Sequence, residues 1–185
     1  RKKSISILGS TGSIGKNTLE LISLNQDQYQ IEVLTCQNNY ELLAHQAIKF
    51  KPNKVVLGNP KYYKELKSML FGTNTEILVG RKSLIECASI SVDWVMSSIV
   101  GMAGLEPTIS AVKQGTTVAL ANKECLVSAG NIFMSEVKRN SAILLPVDSE
   151  HNGIFQILNS DSNKEVEKII LTASGGPFLN LNKNK

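Results

Sequence analysis

The sequence predicts an α/β fold: a doubly wound, mostly parallel sheet, followed by the start of a second α/β domain. Three observations carry this. Short apolar runs alternate with helical patterns along the chain, a glycine-rich turn follows the first run directly, and a last apolar run leads into a further glycine turn after a polar break. Short strands separated by helices of about 10–15 residues argue for parallel pairing with helices on both faces.

Taken in order, strand-like runs fall at residues 4–8, 30–35, 54–57, 76–79, 94–100, 117–120, 142–147 and 168–172. Helical patterns lie between them at 14–23, 40–50, 61–70, 83–88, 107–113, 125–139 and 153–158. In the second of these, Leu42, Leu43, Gln46, Ala47 and Phe50 recur at helical spacing until Pro52 stops the run. Residues 159–163 read as a polar loop and 180–185 (NLNKNK) as a frayed tail. The expected division is a nucleotide-binding domain over 1–147 and the truncated beginning of a catalytic, metal-binding domain over 148–185.

Composition bounds the partners. Lys and Arg outnumber Asp and Glu by 20 to 16, and aromatics make up 5%. The excess is spread along the chain, without the basic stripe or stacking aromatics of a nucleic-acid surface. No run approaches the roughly 18 apolar residues of a membrane span. Cys36, Cys87 and Cys125 are odd in number and lack metal-type spacing, which fits inert thiols in a reducing compartment. The expectation is a cytoplasmic protein with no nucleic-acid or membrane partner. The chain opens at Arg1 rather than Met, so an organellar import segment upstream stays open.

The glycine turn is Gly9-Ser10-Thr11-Gly12-Ser13-Ile14-Gly15, spaced G-x-x-G-x-x-G between the first strand and the first helix. Such a turn needs a tight bend, close backbone approach to a diphosphate, and close packing of helix on strand. The unpaired N–H groups and dipole at the helix start favour the anion, and Ser10, Thr11 and Ser13 add hydroxyl donors. Glycines kept for geometry alone are the competing reading. Its place after the first strand of an alternating chain favours a Rossmann-like dinucleotide site. An NAD site usually carries a carboxylate about 20 residues further on; here the chain reads Thr35, Cys36, Gln37, Asn38, Asn39. With no Asp or Glu to repel a 2′-phosphate, the sequence leans toward NADPH, although no Lys or Arg stands there either.

Two more constellations sit at strand ends, where open α/β sheets gather ligands. Asn122, Lys123 and Glu124 follow the sixth strand; helix capping by Asn122 and Glu124 is the alternative. Asp148 and Glu150 are two apart, so on an extended backbone both point the same way, a pairing suited to a hard divalent cation. His151 is either a third ligand or a hydrogen-bonding neighbour, and an acidic turn capping the next helix is the alternative. A third turn, Ser174-Gly175-Gly176, can hold an anion through its hydroxyl and N–H groups or simply turn the chain.

In this order the pieces resemble the 1-deoxy-D-xylulose 5-phosphate reductoisomerase family. The matching stretches are residues 7–15 (ILGSTGSIG), 119–124 (ALANKE), 145–151 (LPVDSEH) and 174–178 (SGGPF). The resemblance implies that a metal chelates the ketone and hydroxyl oxygens of 1-deoxy-D-xylulose 5-phosphate, the skeleton rearranges, and NADPH reduces the aldehyde to 2-C-methyl-D-erythritol 4-phosphate, an isoprenoid precursor. It implies cofactor contacts at Thr11, Gly12, Ser13, Ile14, Gln37, Asn38, Asn39, Asn122 and Glu124, with Gly101 and its neighbours along the cofactor groove. It implies substrate contacts at Lys123, Ser149, Glu150 and Ser174, Mg²⁺, Mn²⁺ or Co²⁺ on Asp148 and Glu150, and Lys123, Asp148 and Glu150 as the catalytic group. It also implies a homodimer.

Two departures stand out. Family members often read Gly-Lys-Asn after the second strand, where this chain has Gln37-Asn38-Asn39. The resemblance also places a mobile loop, a third carboxylate ligand and a C-terminal helical domain beyond Lys185, so the chain alone is expected to be inactive. Two other readings stay open: a semialdehyde-dehydrogenase-like reductase, which would need Cys125 with His151, and a stand-alone nucleotide-binding module.

Overall fold

A computed structural model describes residues 1–158 and 166–171. The chain forms two compact units, Arg1–Val147 and Asp148–Lys185. In the first unit, strands β1 (Lys3–Leu8), β2 (Tyr29–Cys36), β3 (Lys54–Leu57), β4 (Glu76–Val79), β5 (Trp94–Ser97), β6 (Thr117–Leu120) and β7 (Ile143–Pro146) alternate with helices. The helices are α1 (Ser13–Ser23), α2 (Tyr40–Phe50), α3 (Tyr63–Met69), α4 (Gly80–Ala88), α5 (Leu105–Val112) and α6 (Glu124–Arg139). The second unit contributes α7 (Ser149–Leu158).

All seven strands pair in parallel in the order β4-β3-β2-β1-β5-β6-β7. The strands are short and largely buried on both sides, as a sheet covered on two faces requires, with small polar residues such as Ser6 and Thr35 among the buried ones. Ile5 and Ile7 point into a core shared with α1, α2 and α3 through Leu19, Leu43, Phe50 and Leu66. Leu8, Val95 and Val118 join the opposite core, closed by α5 and α6 through Ala111, Cys125 and Phe133. Each fully buried aliphatic side chain contributes roughly 1.5–3 kcal/mol. The order reverses beside β1, whose two neighbours are β2 and β5. A doubly wound sheet opens its ligand crevice at that point.

Several expected boundaries move, each for a local reason. The fifth strand ends at Ser97 rather than at residue 100 because the Ile99 carbonyl accepts from the Asn122 side chain and Gly101 turns the chain at φ +71°. The third helix starts as a short 3₁₀ turn over Pro60–Tyr62, with the Asn59 side chain accepting from Lys61 N. The last helix begins at Ser149 rather than 153, since Asp148 Oδ1 accepts from His151 N at 3.0 Å and starts it earlier. A strand over 168–172 does not form among the described residues. Residues 166–171 carry no strand assignment, and Ile169, Ile170 and Leu171 are exposed; an apolar run makes a strand only where a ladder partner takes its N–H and C=O groups. The loop expected at 159–163, the turn holding Ser174 and the tail at 180–185 lie outside the described residues. No described helix is long and apolar enough to cross a membrane.

Candidate dinucleotide site

The three glycines of the turn differ in purpose. Gly9 sits at φ +90°, and a Cβ there would lie 2.9 Å from the carbonyl oxygen of Ser98, just past the end of β5. A Cβ on Gly15 would lie 2.3 Å from the Gly9 oxygen, so only glycine lets α1 pack this closely onto β1. At Gly12 the same carbon would make only an ordinary 3.4 Å contact. Gly12 is therefore not demanded by packing; it keeps backbone bare where α1 begins. No side chain caps α1 and no acidic residue stands in its first turn, so the N–H groups and partial positive charge of the helix start face outward.

Behind the turn, Ser10 is fully buried. Its N–H donates to Thr35 O at 2.8 Å and its Oγ to Gln46 Oε1 at 2.7 Å, while Gln46 Nε2 donates back to Ser10 O at 2.9 Å. Ser10 is thus no phosphate donor, contrary to expectation; its hydroxyl is spent fixing the turn to α2. Thr11 and Gly12 line a groove of about 470 Å³. Its other walls come from the ends of β2 and β3 (Thr35, Cys36, Gln37, Gly58), the start of α4 (Arg81, Leu84) and the loop after β5 (Ser98, Ile99, Val100). Ser13 and Ile14 stand exposed on the first turn of α1, outside the groove's lining.

Of the residues expected at the ribose, Gln37 lines the groove. Asn38 Oδ1 accepts from Asn59 Nδ2 at 2.9 Å, and Asn39 Oδ1 caps α2 by accepting from Leu42 N at 3.1 Å. Both asparagine oxygens are therefore committed to holding the β2 end in shape. Arg81 is the groove residue that sequence reasoning missed. It lies far along the chain from the glycine turn, and only the parallel order of β2, β3 and β4 brings α4's first turn to this rim.

Asn122 is 2% exposed and does not cap α6. Its Nδ2 donates to Ile99 O and to Gly101 O, at 2.5 and 2.8 Å, and so fixes the loop that forms one groove wall. Gly104 is needed beneath it, since a Cβ there would meet Asn122 Nδ2 at 2.4 Å. The Asn122 Oδ1 is buried with no hydrogen-bond partner among the described residues, a gap that a donor from a bound molecule would fill. Lys123 is exposed, Glu124 half-buried at the start of α6, and neither lines the groove.

In the second unit, the expected parallel aim of Asp148 and Glu150 is corrected. Glu150 stands in the first turn of α7 rather than on extended backbone, so period-two alternation does not apply. Asp148 caps that helix, and its carboxylate also meets His151 Nδ1 at 2.7 Å. Glu150 Oε2 accepts from Ser149 Oγ at 3.0 Å. Ser149 and Glu150, with Lys168, line a cleft of about 360 Å³ between α7 and residues 166–171. The donor chemistry suits a hard cation, but two carboxylates fall short of the six or so oxygens such an ion takes. No cluster of three or more metal-binding side chains occurs among the described residues.

All three cysteines are buried thiols. Burial pushes Cys36 up to about 12 and Cys87 up to about 11, and raises Cys125 against a lowering hydrogen bond from Thr108. Nucleophilic sulfur needs the thiolate and access to it. Cys125, 0% exposed, has neither, which removes the basis for the thiol-dependent reductase reading.

A parallel sheet whose glycine turn, bare helix start and groove meet at the strand-order reversal defines a doubly wound protein of the Rossmann-like, dinucleotide-binding class. The family model for 1-deoxy-D-xylulose 5-phosphate reductoisomerase matches residues 5–130, and that for its C-terminal domain matches residues 144–185. The chain belongs to the 1-deoxy-D-xylulose 5-phosphate reductoisomerase family. It is 50% identical over 176 residues to the Rhizobium johnstonii reductoisomerase, covering 94% of this chain and 44% of that one. The Wolbachia pipientis protein is 49% identical over 179 residues, 96% of this chain and 46% of the relative. Among solved structures, the Zymomonas mobilis reductoisomerase in complex with NADPH superposes with a TM-score of 0.91 at 44% identity, covering 98% of this chain and 48% of that one. A reductoisomerase in complex with NADPH, fosmidomycin and magnesium gives 0.86 at 39% identity, over 97% and 47%. The chain spans a little under half the length of these relatives.

Proposed function

We propose that this chain forms the dinucleotide-binding part, and the first metal-ligand segment, of an enzyme that converts 1-deoxy-D-xylulose 5-phosphate to 2-C-methyl-D-erythritol 4-phosphate for non-mevalonate isoprenoid synthesis. The observation that carries it is the bare backbone at Gly12, open to the groove between two glycines that packing demands. Family membership supports the choice of chemistry for that groove.

NADPH, when bound, supplies the hydride, and a divalent metal (Mg²⁺, Mn²⁺ or Co²⁺) supplies Lewis acidity. The chain's own part is to bind and orient. Thr11, Gly12, Ser13 and Ile14 receive the cofactor's diphosphate at the start of α1. Gln37, Asn38 and Asn39 stand at its ribose, and Asn122 and Glu124 complete the cofactor contacts. The buried Asn122 Oδ1, without a hydrogen-bond partner among the described residues, is the acceptor this reading offers the cofactor. This reading assigns substrate contacts to Lys123, Ser149 and Glu150, metal oxygens to Asp148 and Glu150, and the substrate's phosphate to Ser174. Catalysis is the role this reading assigns to Lys123, Asp148 and Glu150. The domain roles follow: cofactor over 1–147, metal and substrate from 148 on. In the same reading the whole protein works as a cytoplasmic homodimer, which light scattering and cell fractionation test.

The deciding experiment follows NADPH oxidation by the whole protein with 1-deoxy-D-xylulose 5-phosphate and Mg²⁺. Metal-dependent consumption supports the reading, and its absence sinks it. The 185-residue chain alone is expected to bind NADPH weakly and turn over nothing.

A further inference from the structure

In doubly wound folds the end of the second strand reads the adenosine ribose, with a carboxylate for a 2′-hydroxyl or a cation for a 2′-phosphate. Here neither is present, and the side-chain oxygens of Asn38 and Asn39 are engaged by Asn59 and by the start of α2. The groove nevertheless holds a cation. Arg81 is the one charged side chain among its described lining residues, and it shares the wall with Gln37 and Gly58.

We infer that Arg81 is the residue by which this chain selects a 2′-phosphorylated dinucleotide, in place of the cation missing from the end of β2. The inference rests on the dinucleotide reading above. Gly80, at φ +83°, turns the chain from β4 into α4 within one residue. That places Arg81 at the carboxyl end of the sheet, on the same rim as the end of β2. Leu84, one turn further along α4, adds an apolar wall beside it.

Two contacts hold the guanidinium: Nη2 pairs with Glu106 Oε2 at 2.8 Å, and Nη1 donates to Ala103 O at 3.2 Å. The Glu106 pair is about half exposed on both sides, 51% and 58%, and exposed pairs of this kind hold weakly. A guanidinium carries five N–H donors in a fork that matches phosphate. A phosphate monoester carries nearly two charges at neutral pH, so it outcompetes a single half-solvated carboxylate. Glu106 thus parks Arg81 over the groove without consuming it.

The test titrates the full chain with NADPH, NADH and adenosine 2′,5′-bisphosphate by calorimetry, with thermal melts confirming that each variant folds. The wild-type chain is expected to bind NADPH about tenfold tighter than NADH, the scale of one charge-assisted hydrogen-bond set on a half-exposed site. Arg81→Gln brings that ratio close to one by weakening NADPH and the bisphosphate while leaving NADH unchanged. Glu106→Gln raises it, and Asn38→Lys restores it in the Arg81→Gln background. An unchanged ratio in Arg81→Gln, or equal weakening of NADPH and NADH, overturns the inference. So does a wild-type chain that binds both equally, which leaves the dinucleotide reading standing. A wild-type chain that binds neither overturns that reading first.

Discussion

Ser10 and Gln46 hold one another twice: the serine hydroxyl donates to the glutamine oxygen at 2.7 Å, and the glutamine amide donates to the serine carbonyl at 2.9 Å. Both side chains are buried, so the glycine turn is anchored to α2 by a reciprocal polar clamp inside the core. Gln46→Leu removes the donor to the Ser10 carbonyl and leaves the Ser10 hydroxyl only Thr35 O, at 3.2 Å, so stability should fall by about 1–3 kcal/mol. Urea unfolding checks this; a loss below experimental error would show that the clamp is not structural.

The glycines separate packing from binding. Gly15→Ala places a carbon into backbone 2.3 Å away, and the chain should lose several kcal/mol of stability or fail to fold. Gly12→Ala meets only the 3.4 Å contact and should melt within about 0.5 kcal/mol of wild type, yet bind NADPH more weakly. Equal melting losses for the two variants would contradict this division.

Asn122→Asp swaps a double donor for an anion beside the Ile99 and Gly101 carbonyls. The expected result is a loss of about 2–4 kcal/mol and a weakened dinucleotide affinity. Asn122→Ser, with one donor, should fall between wild type and Asp in both measurements. If affinity stays at the wild-type value while stability falls, the loop after β5 does not shape the groove.

Asp148 has a capping role that can be separated from a metal role. Asp148→Ser keeps an oxygen for His151 N and should retain α7, whereas Asp148→Ala costs the helix about 1 kcal/mol. Both remove the carboxylate, so in the whole protein both should abolish Mg²⁺-dependent turnover. Retained turnover in the serine variant would move the metal elsewhere.

The thiols set an alkaline limit. Cys36 is raised to about 12 and Cys87 to about 11 by burial, against an ordinary value of 9.0. The folded state therefore keeps protons that the unfolded state releases. This contribution is whole below pH 9 and fades as pH rises toward 11–12, by up to about 1.4 kcal/mol per unit for each thiol. Cys36→Ala should flatten that decline in urea midpoints between pH 9 and 11. Below it, iodoacetamide at pH 8 should label none of the three cysteines until urea is added.

Much of this was written locally. The glycine turn, the places of the seven sheet strands and the alternation that makes the sheet parallel depend on neighbours in sequence and were legible, whereas the run at 168–171 is apolar without a ladder partner among the described residues. What escaped depends on the assembled sheet. Ser10 looked like an anion donor because its spacing suits one, but the tertiary fold turns it toward Gln46. Helix capping is the local alternative for Asn122, and only the approach of the loop after β5 gives its amide two carbonyls instead. Asp148 and Glu150 were read on an extended backbone that a cap converts into helix. Arg81 carried no signal, since its meaning comes from a strand order that brings the β4 end beside the β2 end.

The position of β1 also has a consequence for synthesis. Its second neighbour, β5, follows far behind it: Ser4 and Asp93, which meet at the start of that pairing, are 89 residues apart. On a ribosome adding about 5–20 residues per second, that gap lasts roughly 4–18 s. Throughout, β1 can pair with β2 while the backbone N–H and C=O groups of its other edge have no strand to meet. The nascent chain must therefore pass through a half-sheet with an open, unpaired strand edge, the interval in which a holding chaperone would matter most to its yield.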